Sequence, residues 1–188
     1  MMLNEQTEVK LAELKLSGML ESYREQMTNK EYQSMSFEDR FNLMVDLEHS
    51  RRKNNKLQRL IKSANFRNAS ASIEDIEYHP DRNLDKNLIL KLASGTYLEE
   101  HHNIILMGAS GNGKTYIANA FGIQACRQYY NVKYIRLPEL LDELTISKNQ
   151  ADGSFRKIIN RYKKVQLLII DELWKGFHNS SYEKQVIM

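Results

Sequence analysis

Gly108-Ala109-Ser110-Gly111-Asn112-Gly113-Lys114-Thr115 brackets four residues with two glycines and follows them with a lysine and a hydroxyl, the spacing of a phosphate-binding loop. Glycines admit positive φ and carry no side chain, so successive backbone N–H groups can converge on a phosphate at the positive end of the helix that follows. Lys114 would add a cation reaching the β and γ phosphates, and Thr115 would offer its hydroxyl to Mg²⁺, a hard ion that prefers oxygen ligands. The expected nucleotide contacts run from Gly108 through Tyr116. A second element lies downstream, where Leu167-Leu168-Ile169-Ile170-Asp171-Glu172 is an apolar run ending in two carboxylates. Acids at the C-terminal end of a parallel strand face the crevice where ligands bind in open α/β sheets. Asp171 is therefore expected to hold Mg²⁺ through water, and Glu172 to orient and polarise an attacking water. The expected catalytic residues are Lys114 and Glu172, with ATP and Mg²⁺ as ligands.

A third feature is electrostatic. Between Glu48 and Glu74 the charged positions Arg51, Arg52, Lys53, Lys56, Arg59, Lys62 and Arg67 are all basic. At helical spacing Arg52, Lys56 and Arg59 share one face with Lys53 close by, which suits either a solvated helix face or binding to a nucleic-acid backbone. The expected DNA contacts are Arg51, Arg52, Lys53, Lys56 and Arg59. His101-His102 lacks a partner at metal-ligand spacing and reads as a solvated turn, and Trp174 and Tyr129-Tyr130 read as packing residues.

The elements needed to position these residues follow from periodicity. Leu11, Leu14, Met19, Leu20, Tyr23 and Met27 recur at three- or four-residue spacing, predicting two short helices or one kinked at Ser17-Gly18. Ser36, followed by Phe37-Glu38-Asp39, caps a further helix that runs to Ile61. Residues 65–80 lose the period and read as a linker that packs in places, and a short helix spans Asp85 to Ser94 before Gly95. Ile104-Ile105-Leu106-Met107 predicts a strand buried on both faces. A helix from Lys114 to about Tyr130, a strand Val132–Arg136, a helix opened by Pro138 and a strand Gln166–Ile170 follow. Strands alternating with helices predict a parallel sheet. The domains expected are a helical module for DNA or a partner over 1–68, a linker over 69–84, and a nucleotide-binding domain over 85–188.

The chain has 188 residues, 41% hydrophobic and 27% charged, with a net charge of +3. That composition excludes disorder and collagen-like repeats. No apolar run is long enough for a membrane span, and the N-terminus lacks the layout of a signal peptide, so a cytoplasmic location without membrane association is expected. The single cysteine, Cys126, excludes an internal disulfide and a cysteine-based zinc site and is expected to be a buried apolar residue.

With these features placed, the chain resembles the IstB-like ATP-binding proteins, AAA+ ATPases that assist insertion-sequence transposases and are related to DnaC-type helicase loaders. Beyond the loop, the resemblance is carried by Leu14-Lys15-Leu16-Ser17-Gly18-Met19, Ser36-Phe37-Glu38-Asp39-Arg40, Arg51-Arg52-Lys53-Asn54-Asn55 and Tyr97-Leu98-Glu99-Glu100. Ala125-Cys126-Arg127, Leu137-Pro138-Glu139-Leu140-Leu141 and Ala151-Asp152-Gly153-Ser154 continue it in the same order. It implies an α/β fold, a helical N-terminal module followed by a P-loop AAA+ domain, with DNA, a transposase encoded by the same element and an ATP-dependent homo-oligomer as partners. The alternatives are a DnaC-like helicase loader and a non-enzymatic DNA-binding remnant. In the family's strand order, 5-1-4-3-2, both neighbours of the loop-bearing strand come after the Asp-Glu strand. Because the chain ends at Met188 and its tail from Lys175 is unlike the family, the resemblance implies an AAA+ domain truncated after that strand. It would lack the polar sensor and arginine finger, be impaired in hydrolysis, and leave Ile104 to Met107 as an apolar ribbon without backbone partners.

Overall fold

The structure, a computed structural model, describes residues 3–80, 84–150, 153–173 and 186–187. The chain divides into two compact units, residues 1–56 and 57–188.

The first unit is helical: α1 Leu3–Glu13, α2 Ser17–Thr28, a 3-10 turn Lys30–Ser34, and the beginning of the long helix α3, Phe37–Ala64. The expected break between α1 and α2 falls at Lys15-Leu16, just before the glycine. Lys15 takes a left-handed φ of 56°, and Leu16 N–H closes back on Leu11 O at 2.9 Å while Lys15 N–H bonds Ala12 O, a paired closure that satisfies the last carbonyls of α1. Gly18 serves packing. A Cβ there would stand 2.7 Å from the Glu48 Cα, so only glycine lets α2 cross α3 this closely. The Glu48 carboxylate, 6% exposed, accepts the Gly18 N–H at 2.7 Å and the Met19 N–H at 3.4 Å. These are orphan donors in the first turn of α2, where negative charge is favoured. Burial pushes the Glu48 carboxyl up, but the Arg52 guanidinium and the two N–H groups outweigh it and hold the group below the usual range. Ser36 caps α3 as expected, its Oγ accepting the Asp39 N–H at 3.1 Å.

The second unit opens with the last turns of α3, where Leu57, Leu60, Ile61 and the fully buried Ala64 join its core. The segment expected to be a linker that packs in places does pack, with Ala71, Ile73 and Ile76 buried, and this unit begins well before residue 85. Helices α4 Lys86–Ala93 and α5 Thr96–Glu99 follow, then strand β1 Ile105–Leu106, α6 Lys114–Arg127, β2 Val132–Arg136, α7 Leu137–Lys148, α8 Ser154–Lys163, β3 Leu167–Asp171 and β4 Val186–Ile187. Helix α6 is the hub. It is buried around most of its circumference, and a Cβ on Gly122 would meet Phe66 at 2.4 Å and Ile169 at 2.7 Å, which fixes how closely the helix sits on the sheet. Cys126 is fully buried at the end of α6, and burial raises its thiol to about 11, in keeping with an inert packing residue. Its last turn closes like that of α1, with Tyr129 in the left-handed region and Tyr130 N–H on Ala125 O at 3.0 Å. His101, with φ 55°, ends α5 in the same way, and both histidines are exposed as expected. Trp174 lies outside the described residues.

The sheet order is β1-β4-β3-β2. β2 and β3 are parallel and in register from Val132 opposite Leu167 to Arg136 opposite Asp171, the small parallel sheet that the pattern predicts. Two expectations about β1 need correction. It has a backbone partner, because β4 pairs with it antiparallel, Ile105 opposite Ile187, and also meets β3 antiparallel at Ile170. Nor is it buried on both faces: Ile105 is 55% and Met107 65% exposed, because the sheet has no further strand beyond β1 among the described residues and the helices cover it incompletely. Helix α8 was not expected at all, although Phe155, Ile158, Ile159 and Tyr162 follow helical spacing.

Gly18→Ala is expected to lower the unfolding free energy by about 1–3 kcal/mol in urea denaturation, the usual consequence of forcing extra volume into a tight crossing. Because the folded state depresses the Glu48 pKa, the carboxylate stabilises fully above its unfolded value near 4.3, and that stability is lost as pH falls through the lower folded value. Glu48→Gln should therefore flatten the decline in stability below about pH 5, which denaturation midpoints across pH would record.

Candidate nucleotide-binding site

The loop 108–113 leaves β1 and delivers the chain into α6. Gly111 and Gly113 adopt φ of 89° and 77°, a region that side chains other than glycine rarely occupy, and this turns the loop over the start of the helix. Lys114 is 8% exposed and its Nζ donates to Gly108 O and Ala109 O, both at 2.6 Å, so the ammonium sits inside the loop it follows. Beside the loop lies an open cleft of about 470 Å³, formed by Asp75, Ile76 and Glu77 on one side and Gly111, Tyr116 and Ile117 on the other. Tyr116 also ties the two sides together, its OH accepting the Ser72 N–H at 3.3 Å.

The carboxylates meet the loop at the C-terminal end of the sheet. Asp171 is 1% exposed, and carboxyl oxygens so buried require hydrogen-bond donors. It has three. Thr115 Oγ1 donates to Oδ2 at 2.8 Å and Tyr134 OH to the same oxygen at 2.7 Å, while the Glu172 N–H donates to Oδ1 at 2.7 Å. Burial, followed by the bond to Asp171, pushes the Tyr134 phenol well above its ordinary value, so Tyr134 remains a donor at any physiological pH.

Glu172 turns off the strand with φ 59°, a left-handed conformation uncommon for a non-glycine residue that redirects its side chain. It is 5% exposed and held by two guanidiniums, Arg136 Nη2 at 2.7 Å from Oε2 and Arg67 Nη1 at 3.7 Å from Oε1. Glu172 in turn raises the Arg136 pKa, which keeps the guanidinium charged.

The expected loop residues and the two acids thus converge in one place. Three further residues of the site, Arg67, Tyr134 and Arg136, were not expected there. Tyr134 and Arg136 were legible in principle: they alternate on one face of β2 and, in parallel register, lie opposite Ile169 and Asp171. Arg67 carried no local signal beyond membership of the basic run. That run is itself divided. Arg51 pairs with Glu21 and Arg52 with Glu48, Arg52 also donating to Lys15 O at 3.3 Å, so both are committed to holding helices together, whereas Lys53, Lys56 and Arg59 have exposed side chains.

The residues present fit a nucleoside triphosphate with Mg²⁺. The loop offers backbone N–H groups and a lysine, and the Thr115 hydroxyl and Asp171 carboxylate stand within hydrogen-bond distance of each other as oxygen ligands suited to a hard cation. A glycine-rich turn between strand and helix, with a buried acid at the end of a neighbouring parallel strand, defines a P-loop α/β nucleotide-binding domain with a helical N-terminal region. The comparisons make this specific: the chain matches the IstB-like ATP binding protein family over residues 9–186 and belongs to it. The match takes in most of the tail from Lys175, which was expected to fall outside the family. A protein of Pseudomonas fluorescens named for ATP binding in insertion sequence IS1162 is 41% identical over 171 residues, covering 91% of this chain and 73% of its own length. An insertion-sequence ATP-binding protein of Sinorhizobium fredii is 33% identical over 163 residues, 87% of this chain and 65% of that protein. Another, from Mycobacterium tuberculosis, is 27% identical over 172 residues, 92% and 67%. The chain thus spans roughly two thirds to three quarters of the length of these relatives.

Tyr134→Phe removes one of three donors to a buried carboxylate and is expected to lower stability by about 1–3 kcal/mol in denaturant titration. Tyr116→Phe, at the half-buried margin of the cleft, should change stability much less.

Proposed function

We propose that this protein binds ATP with Mg²⁺ at the loop 108–115 and, in that state, assembles on DNA and assists the transposase of its own insertion sequence. The observation that carries the nucleotide part is the contact of Thr115 Oγ1 with Asp171 Oδ2 at 2.8 Å, between residues far apart in sequence. In this reading the N–H groups of Gly111, Gly113 and Lys114 cradle the phosphates, and the Lys114 ammonium exchanges its bonds to Gly108 O and Ala109 O for phosphate oxygens. Thr115 and Asp171 would hold Mg²⁺, which when bound neutralises charge on the β and γ phosphates. The cleft beside Ile76 and Tyr116 offers room for the nucleoside.

Glu172 is the residue to orient the attacking water, but its carboxylate faces Arg136 and Arg67, and it can act on water only when one of these pairings loosens. On the DNA side, Lys53, Lys56 and Arg59 on α3 are exposed cations that would contact the backbone. The part played by insertion sequences comes from family membership and from the names of the relatives. Among the described residues no helix is long and apolar enough to cross a membrane.

Lys114→Ala is expected to weaken binding of a fluorescent ATP analogue by one to two orders of magnitude, through loss of a charge-assisted contact of about 1.5–3 kcal/mol. Asp171→Asn should remove most of the Mg²⁺ dependence of that binding. Equal affinity of wild type and Lys114→Ala would refute the phosphate cradle.

A further inference from the structure

Helix α8, Ser154–Lys163, presents a face that nucleotide binding does not use. From Gly153 to Ile170 the sequence contains Arg156, Lys157, Arg161, Lys163 and Lys164 and no acid. At 100° per residue, Arg156, Lys157, Asn160, Lys163 and Lys164 fall within an arc of about 120°, while Phe155, Ile158, Ile159 and Tyr162 occupy the opposite side. The five polar residues are exposed, and Tyr162 is buried.

The apolar side turns toward α7 at Tyr162. Tyr162 OH donates to Glu143 Oε2 at 2.8 Å, Ser154 Oγ donates to Ser147 O at 3.1 Å, and Arg161 pairs with the same Glu143 while its guanidinium lies 5.0 Å from the Tyr162 ring centroid. Arg161 is therefore an anchor whose charge is balanced. Among the described residues, none of Arg156, Lys157, Lys163 and Lys164 lies within ion-pair distance of a carboxylate. This differs from α3, where Arg51 and Arg52 are tied to Glu21 and Glu48. Tyr162 is buried and Ile158 and Ile159 are half-buried, which leaves Phe155, 41% exposed, as the exposed apolar side chain of α8, too little apolar surface for insertion into a lipid surface. What remains is a rigid row of uncompensated cations about 12 Å long, matching the axial span of three to four phosphates on one strand of duplex DNA.

We propose that the outer face of α8 is a site for the backbone of duplex DNA, contacted by Arg156, Lys157, Lys163 and Lys164 with Asn160 as a neutral donor among them. The site rests on the reading that the chain works on DNA and places a contact on the nucleotide-binding unit itself. As a set of phosphate contacts it reads charge and not sequence, because the backbone carries no base information.

The test uses the whole 188-residue chain and a fluorescein-labelled 30-base-pair duplex, with anisotropy titrations at several KCl concentrations. Two double variants, Arg156→Gln with Lys157→Gln and Lys163→Gln with Lys164→Gln, are compared with wild type and with an α3 triple variant, Lys53→Gln, Lys56→Gln and Arg59→Gln. Each α8 variant is expected to bind at least tenfold more weakly at 100 mM KCl. Each should also reduce the slope of log affinity against log salt by about 1.8, from roughly 0.9 per phosphate contact. Retained binding of a fluorescent ATP analogue reports that a variant is folded. Folded α8 variants with wild-type affinity and slope would overturn the proposal. If the α3 variant alone lost binding, the α8 site would fall while the DNA reading stood. If wild type failed to bind the duplex while still binding nucleotide, both would fall and the phosphate cradle would survive.

Discussion

Asp171 places a carboxyl group at a point that is almost wholly shielded from water, and the arrangement of the nucleotide-binding unit follows from satisfying its hydrogen-bonding oxygens. Its donors come from three directions: Thr115 at the start of α6, Tyr134 on β2, and the backbone of Glu172 immediately after it. A slip of one residue in the pairing of β2 with β3 would turn Tyr134 to the other face and leave the carboxylate short of a donor. A shift of α6 along the sheet would withdraw Thr115. The register and the position of α6, set on the other side by the tight fit of Gly122 between Phe66 and Ile169, are thus constrained by one buried group. The same group brings a hydroxyl and a carboxylate together beside the phosphate loop.

The arginines of this chain divide by task according to what surrounds them. Arg51 and Arg52 join helices of the first unit, Arg67 and Arg136 hold Glu172, and Arg161 fastens α8 to α7. The planar guanidinium can satisfy a carboxylate with several donors at once, which suits it to such fixed pairings, whereas a lysine is a flexible point charge that remains hydrated. The positive run read along α3 therefore overstates the charge that α3 presents outward, and the shorter basic stripe on α8 presents more of its own. Net charge along a sequence counts side chains. A partner meets only those whose fields are not already cancelled.

At β1 the fold departs most from expectation. An apolar run ahead of a phosphate loop suggests a strand enclosed on both sides, yet Ile105 and Met107 are exposed, and the neighbour of β1 is the two-residue antiparallel β4. In the family's strand order the place between the loop-bearing strand and the Asp-Glu strand belongs to strand four, and here β4 bridges them. An unpaired strand edge is a strong template for further pairing, so the backbone groups of Ile105 and Leu106 take the partner that the chain supplies.

The sequence by itself determined the phosphate loop, the acids at the end of β3, the cap at Ser36, the parallel pairing of β2 with β3 and the family. Each of these depends on residue types at short, fixed spacing, where geometry is dictated locally by glycine conformations, capping oxygens and periodicity. Tertiary structure decided what depended on distant partners. It turned the apparent weak point at Gly18 into a helix crossing sealed by Glu48, fixed Ala71, Ile73 and Ile76 as the places where the linker enters the core, and brought Tyr134, Arg136 and Arg67 to the two carboxylates. It also selected which cations remain uncompensated. None of these could be read along the chain, because burial and charge pairing are properties of neighbours in space, and their energies are set only when the elements have packed.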